Sequence, residues 1–209
     1  MKYEWRKQDK QLYLPKTSPT SIDVPKIKFF TLTGAGNPNN EAFSERVEAL
    51  YSLSYAIRMM PKKNIIPEGY FEYTVFPLEA VWDLDEEGRK LDYLDKDHFV
   101  YTVMIRQPEF VTEALMEQAK SLVQKKVPID LLQSIQLEEM TEGLTVQCMH
   151  IGSYDDEPAT FLKMQTYCDE HGLYRTEKQH REIYISDPRK TDPEKLKTVL
   201  RFKAAKSLP

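Results

Sequence analysis

Long apolar runs are missing from this 209-residue sequence, since no stretch approaches the roughly 18 residues that a membrane-spanning helix needs. Residues 1–10 are polar and charged, unlike the apolar centre of a secretory signal peptide. We therefore expect no membrane partner and a cytoplasmic location. A chain of this length can bury a hydrophobic core without disulfides or a structural metal.

Cysteine is scarce: the chain has only Cys148 and Cys168, and they form no CxxC motif. No histidine lies at ligand spacing near them, which indicates structural thiols. The histidines are scattered, and none is paired with an acidic residue at the spacing of a helical metal site; they are His98, His150, His171 and His180. We predict no metal and no cofactor, and we expect His150 to pack or hydrogen-bond at a strand end.

Motifs for several other chemistries are also missing. The chain has no GxSxG nucleophile motif, and Gly34-Ala35-Gly36 lacks the third glycine of a dinucleotide-binding loop. Acidic residues number 33 and basic residues 29, for a net charge of −4, and the basic residues form no stripe. Because phosphate neutralisation supplies most of the affinity for nucleic acid, we predict no nucleic-acid partner.

Strand and helix patterns occur twice in the same order. β-rich runs with period two predict strands, and apolar residues at helical spacing predict helices. Each half reads strand, helix, strand, strand, at 24–33, 40–59, 70–84 and 99–107, and again at 144–151, about 158–170, 181–185 and 196–202. Residues 108–126 predict a further helix, and residues 129–142 fit either a short helix or a strand.

The repeated order predicts an α+β fold of duplicated βαββ units, which form a pseudo-twofold sheet with a central ligand cleft. We predict an N-terminal arm over 1–23 and a single domain over 24–209. Its two repeats would cover about 24–107 and 143–204, joined by a helical segment at 108–142. The oligomeric state is left unassigned.

The strand at 181–185 carries the first candidate site residue. Period two places Glu182 and Tyr184 on one face, and Arg181, Ile183 and Ile185 on the other. Glu182 has two interpretations: a residue on a solvent-facing sheet surface, or a carboxylate at the floor of a cavity that binds a cation or acts as a base. The strand alone leaves both open.

The first half supplies further candidates. In the predicted duplication Glu79 corresponds approximately to Glu182, although alternation puts Glu79 and Trp82 on opposite faces unless Pro77 causes a bulge. The aromatic residues that could line a ligand cleft are Trp82, Tyr55, Tyr73, Tyr101 and Tyr184. Tyr55 fits the edge of a core equally well, because tyrosine often lies at such boundaries with its hydroxyl in water.

Several segments resemble the GyrI-like small-molecule-binding domain family. In the second half they are MHIGSY at 149–154, REIYISDP at 181–188 and LKT at 196–198. In the first half YSLSY at 51–55, PLEAVW at 77–82 and MIRQPEFV at 104–111 are similar to the stand-alone bacterial branch. The resemblance implies two SHS2-type repeats around a cleft, with Glu182 as a pocket glutamate for cationic or planar polar ligands.

The resemblance also implies two possible functions. Some stand-alone members hydrolyse the cyclopropane of DNA-alkylating antibiotics of the yatakemycin and duocarmycin type. For this chain that function would use Glu182 as the base, Glu79 as a second carboxylate and the aromatic residues as walls. The alternative is a non-catalytic module that sequesters or senses planar aromatic or cationic compounds. The sequence contains no helix-turn-helix, which favours the enzyme over a sensor.

Overall fold

The computed structural model describes residues 2–207 and is a mixed α/β structure with antiparallel strands. The strands in that part of the chain are β1 Thr20–Ala35, β2 Leu78–Leu84, β3 Phe99–Arg106, β4 Gln136–Ile151, β5 Leu173–Arg175, β6 His180–Tyr184 and β7 Lys197–Lys206. The α-helices are α1 Trp5–Gln8, α2 Lys10–Tyr13, α3 Glu41–Met59, α4 Glu113–Val123, α5 Ile129–Ser134 and α6 Glu157–Glu170. None of these helices has the length and apolar character needed to cross a membrane.

The predicted strands and helices occur in the predicted order, with differences at the element ends and with β5 as an additional strand between α6 and β6. β2 begins at Leu78 rather than at residue 70, directly after Pro77, whose missing N–H cannot join a ladder. The helix predicted from residue 108 begins at Glu113, because the Thr112 side chain accepts a hydrogen bond from the Leu115 N–H at 3.2 Å. Residues 129–142 divide between α5 and the start of β4.

The described residues form two compact units, each assembled from separate segments. The first contains the residues up to Glu4, Ile27–Leu78 and Leu84–Met140. The second contains Trp5–Lys26, Glu79–Asp83 and the residues from Thr141 onward. Most of β2 belongs to the second unit because it pairs with β6. The arm and repeat boundaries, and the duplication of βαββ units, stay predictions.

The first unit contains an antiparallel ladder between β1 and β3 and a helical layer. β1 pairs with β3 from Phe29, opposite Arg106, to Ala35, opposite Val100. α3 packs on β3 and on α4. Its buried positions recur at helical spacing, so one face of the helix is apolar. Buried side chains of this core include Phe30, Leu50, Leu53, Ile57 and Ile105.

The second unit is built around β7, which pairs with β6 on one side and with β4 on the other. β2 extends this ladder beyond β6, and β5 pairs with the last residues of β7. α6 packs on the strands through Met164 and Cys168, which join Cys148, Leu200 and Phe202 in one buried cluster. Both cysteines are free and buried. This sheet positions the candidate site.

Candidate functional site

Alternation along β6 brings three polar side chains to one face of the second unit: His180, Glu182 and Tyr184. Glu182 is 8% exposed. Its Oε1 lies 3.0 Å from His180 Nε2, and its Oε2 accepts a hydrogen bond of 2.7 Å from the Tyr184 hydroxyl. The prediction that Glu182 and Tyr184 share a face is confirmed, and the carboxylate is buried rather than solvent-facing.

Trp82 on β2 lies on the same face, because the register places Trp82 opposite His180 and Ala80 opposite Glu182. Its indole Nε1–H donates to the Tyr184 oxygen at 2.9 Å. An indole N–H can only donate, and an ionised carboxylate can only accept. The Tyr184 proton is therefore directed at Glu182, and the three groups form one ordered chain of hydrogen bonds.

Glu157, the first residue of α6, adds a second carboxyl group. One ligand atom each from Glu157, His180 and Glu182 lies within 4.8 Å of the others. Burial, and then the charge and hydrogen bond of Glu182, raise the pKa of Glu157 well above its ordinary value. At neutral pH the Glu157 carboxyl therefore keeps its proton. We call Glu157, His180 and Glu182 the acidic cluster.

Aromatic side chains border the acidic cluster. Tyr154 meets the Tyr184 ring edge-on with centroids 6.0 Å apart, and Phe161 meets the His180 ring at 4.9 Å. Burial, and then the charges of Glu182 and Glu157, raise the pKa of Tyr154 to about 12. Tyr154 is 37% exposed and the His180 side chain 21%, so water reaches the cluster on this side.

The turn that carries Tyr154 is fixed by His150. One ring nitrogen of His150 lies 2.9 Å from the Ser153 carbonyl oxygen, and the other lies 2.9 Å from Thr160 Oγ1. Gly152 precedes the turn with a φ angle of +139°, a backbone conformation that residues other than glycine rarely adopt. His150 hydrogen-bonds at the end of β4, as predicted.

Glu79 lies on the opposite face of β2 and does not join the acidic cluster. Its Oε2 accepts a hydrogen bond of 2.7 Å from Arg181, and both side chains are almost fully buried. Arg181 Nε also lies 3.1 Å from Glu142 Oε2. Residues 79–82 pair with β6 in continuous register, so Pro77 causes no bulge there. Alternation therefore keeps Glu79 and Trp82 apart, and Glu157 is the second carboxyl near Glu182.

Comparison with known proteins decides the family. The family model described as the GyrI-like small molecule binding domain matches residues 17–203. The chain belongs to this family. No curated protein sequence matches the chain.

Solved structures of GyrI-like relatives agree with the fold. Two proteins of Listeria innocua described as hydrolases are 35% and 34% identical, with TM-scores of 0.90 and 0.87. The matches cover 98% and 97% of this chain and all of each relative. An uncharacterised conserved protein of the same organism is 36% identical over 97% of this chain and all of the relative, with a TM-score of 0.89.

A more distant match is alike in fold alone. The C-terminal domain of EcmrR is 12% identical to this chain, with a TM-score of 0.54. The match covers 90% of this chain and 98% of that domain.

Three aromatic residues predicted to line the ligand cleft lie in the first unit of this GyrI-like chain. Tyr55 is 49% exposed, whereas Tyr73 and Tyr101 are buried. Burial raises the pKa of Tyr73. A Cβ at Gly34 would lie 2.5 Å from the Tyr101 ring, so the ring occupies the space that glycine leaves. Their role as cleft walls stays a prediction, while Trp82 and Tyr184 contact each other beside Glu182.

Three members of this GyrI-like site were not predicted from the sequence: Glu157, His180 and Tyr154. For His180 the sequence does contain a signal, because the period of two along the strand places it on the same face as Glu182. Glu157 carried no local signal. It reaches Glu182 because α6 packs across the sheet, which is a tertiary contact between residues 25 positions apart.

Proposed function

We propose that this GyrI-like protein is a hydrolase of small molecules, with the acidic cluster at its centre. One observation carries the proposal: two buried carboxyl groups lie together, and the environment favours the proton on Glu157. Carboxyl pairs whose environments separate their proton affinities are a recurring arrangement of a base and an acid. The family binds small molecules, and two similar Listeria innocua proteins are described as hydrolases, which supports the same class.

Glu182 is the proposed base. Its Oε2 accepts a hydrogen bond of 2.7 Å from Tyr184, and its Oε1 lies 3.0 Å from His180, whose side chain is 21% exposed. A water molecule that hydrogen-bonds to this oxygen can lose its proton as it attacks a substrate, which is general-base catalysis. The fixed orientation of the Glu182 carboxylate lowers the activation barrier further, because less conformational entropy is lost in reaching the reactive geometry.

Glu157 is the proposed acid. Its carboxyl proton is available for an oxygen that becomes negative as the substrate reacts. After the reaction Glu182 holds a proton and Glu157 has lost one. Because the two groups are neighbours, transfer of that proton restores the starting state without exchange with bulk water.

The proposed substrates are cyclopropanoids of the yatakemycin and duocarmycin type. In these compounds a cyclopropane is conjugated to a dienone. The water oxygen forms a bond to a ring carbon, a cyclopropane C–C bond breaks, and its electron pair moves to the dienone oxygen as the ring becomes aromatic. Glu182 takes the water proton, and Glu157 protonates the resulting phenolate. The Tyr184 and Tyr154 rings provide an aromatic border for the flat substrate, and Trp82 positions Tyr184 through a hydrogen bond.

A second candidate function is binding without chemistry. The negative charge of Glu182 lies beside the aromatic rings of Tyr184 and Tyr154. A charge and aromatic surfaces in this arrangement can bind cationic or planar compounds. Such a protein would sequester or sense its ligand. It would change the fluorescence of the ligand stoichiometrically, whereas an enzyme would consume an excess.

The deciding experiment is consumption of a duocarmycin-type cyclopropanoid under multiple-turnover conditions, followed by chromatography. We expect many turnovers of the ring-opened alcohol for the wild type, and rates about 100-fold lower for Glu182→Gln and Glu157→Gln, the size of a lost general base or acid. Glu170→Gln is the matched control, because Glu170 is an exposed glutamate at the other end of α6. Binding without turnover in the wild type would leave only the second function.

A further inference from the structure

The acidic cluster has the composition of a metal site. It combines one imidazole with two carboxyl groups, and its ligand atoms lie within 4.8 Å of one another. Zinc takes imidazole nitrogen and carboxylate oxygen at about 2 Å, so ligand atoms around one ion lie up to about 4 Å apart. Side-chain movements of less than about 1 Å would bring all three groups onto one ion.

A second observation at the same place indicates a missing ligand. Glu157 is only 7% exposed, and its Oε1 is buried with no hydrogen-bond partner among residues 2–207. A buried carboxyl oxygen without a partner costs free energy, and such oxygens are rare unless an unseen water or ion satisfies them. This oxygen belongs to the carboxyl group that completes the cluster.

The surroundings also resemble those of a metal ligand. The carboxylates and imidazoles that bind metals are usually held by further hydrogen bonds, which fix their orientation. Tyr184 holds Glu182 Oε2 at 2.7 Å, and Trp82 holds Tyr184 at 2.9 Å. Glu182 Oε1 and His180 Nε2, 3.0 Å apart, are thereby kept at a common centre.

We propose that Glu157, His180 and Glu182 together bind one divalent first-row transition-metal ion, for which Zn²⁺ is the probe. A mixed nitrogen and oxygen donor set suits Zn²⁺ and its neighbours, whereas Mg²⁺ and Ca²⁺ require more oxygen ligands than the cluster offers. Two carboxylates neutralise the charge of the ion, and water completes the coordination. The ion takes the place of the carboxyl proton.

Binding of the ion does not depend on the proposed hydrolysis, since it is measured without substrate. It has a consequence for that reaction, however. A carboxylate that coordinates Zn²⁺ is no longer free to accept a proton from water, so the general-base step through Glu182 requires the metal-free protein. Failure of the hydrolase proposal leaves the metal proposal intact, and the reverse also holds.

The test is isothermal titration of chelator-treated protein with Zn²⁺ in a buffer that does not bind metal, with Mg²⁺ titrated in parallel. We expect one Zn²⁺ per chain, and affinity at least 10- to 100-fold weaker in Glu157→Gln and in His180→Gln, since loss of outer partners alone has that effect. The matched control is His98→Gln, because His98 pairs with Asp85 at 3.0 Å as His180 pairs with Glu182. Circular dichroism checks that each variant is folded.

The outcomes are separable. Zinc affinity that falls in both cluster variants and persists in His98→Gln supports the site. Absence of binding to the wild type at about 100 µM Zn²⁺ overturns it, as does binding that both cluster variants retain or that the control loses equally. A Co²⁺ titration gives a second readout, because a site with three protein ligands changes the visible absorption of the ion only if they coordinate it.

Discussion

At the scale of single residues, the direction of the Tyr184 hydroxyl proton explains how the polar side chains of the site are arranged. The Trp82 indole N–H donates to Tyr184, and Tyr184 donates to Glu182. We had expected Trp82 and Tyr184 to line the ligand cleft. The structure commits both polar groups within the protein, so their proposed contribution is to orient Glu182. Trp82 acts through Tyr184 and is a positioning residue.

This arrangement predicts an order of effects on the proposed hydrolysis. Trp82→Phe removes one neutral hydrogen bond, worth about 1 kcal/mol, and should lower kcat about fivefold. Tyr184→Phe removes a hydrogen bond to a carboxylate, worth about 1.5–3 kcal/mol, and should lower kcat roughly 10- to 100-fold. Steady-state kinetics gives both values. Trp5→Phe, at the other tryptophan of the chain, should leave kcat unchanged.

The division between kcat and KM tests the positioning role directly. If Trp82 held substrate by stacking, Trp82→Phe would raise KM and leave kcat largely unchanged. An unchanged kcat in Tyr184→Phe would contradict the role of Tyr184 in orienting the base.

The same residues show what the sequence could predict. Glu182 and Tyr184 were correctly assigned to one face, because alternation is a local property of a strand. Glu157 could not be found in this way, since its position follows from how α6 packs on the sheet. Glu79 was selected by a correspondence between halves, whereas its neighbours are set by pairing with β6. The sequence therefore predicts which residues share a face of a strand, but it does not predict which residues of other elements contact them.

At the scale of elements, β6 separates two kinds of chemistry on its two faces. One face carries the acidic cluster, and the other carries Arg181, which contacts Glu79 at 2.7 Å and Glu142 at 3.1 Å. Two acidic groups surround a buried guanidinium there. Because both partners of the Glu79 contact are almost fully buried, that contact is structural and lies away from Glu182.

Glu79→Gln should therefore reduce stability and not catalysis. Removing one partner of a buried ion pair costs about 3–5 kcal/mol, and retention of Glu142 and of an amide hydrogen bond reduces this to roughly 2–3 kcal/mol. We expect that loss in the free energy of unfolding, measured with urea. The proposed hydrolysis per folded molecule should change less than threefold. A 100-fold loss of turnover in folded Glu79→Gln would instead return Glu79 to the catalytic residues.

Element boundaries were harder to predict than element order. The predicted strands and helices occur in the expected order, but the second half contains one strand, β5, that was not predicted. β2 is shorter than its β-rich segment because Pro77 interrupts pairing, and residues 129–142 contain both a helix and a strand. The composition of a segment indicates whether it forms a helix or a strand, whereas a capping residue or a proline determines where that helix or strand ends.

At the scale of the whole molecule, distant segments meet in the second unit. Arg201 on β7 donates to the Leu12 carbonyl at 2.7 Å, and Gln147 on β4 donates to the Gln11 carbonyl at 2.7 Å. Trp5 and Tyr13 are buried, so the N-terminal segment contributes core side chains as well as backbone acceptors. Neither contact follows from a local pattern, because the first joins residues 189 positions apart.

Glu142 makes the stability of the second unit depend on pH. Burial alone would raise its pKa, but the guanidinium groups of Arg181 and Arg201 outweigh burial, and the pKa of Glu142 lies below its ordinary value. A carboxyl group with a lowered pKa stabilises the folded state above its unfolded pKa, near 4.3, and the stabilisation is lost as the pH falls toward the folded value.

Urea unfolding between about pH 3 and pH 7 measures this dependence. We expect Glu142→Gln to be less stable than the wild type at neutral pH, because two buried guanidinium groups lose their carboxylate. The difference should shrink as the pH falls, since the wild-type carboxylate is then protonated and also loses its charge. Glu170→Gln, at an exposed position, should follow the wild-type curve throughout. A constant difference between Glu142→Gln and the wild type would mean that Glu142 stabilises by packing and hydrogen bonding rather than by charge.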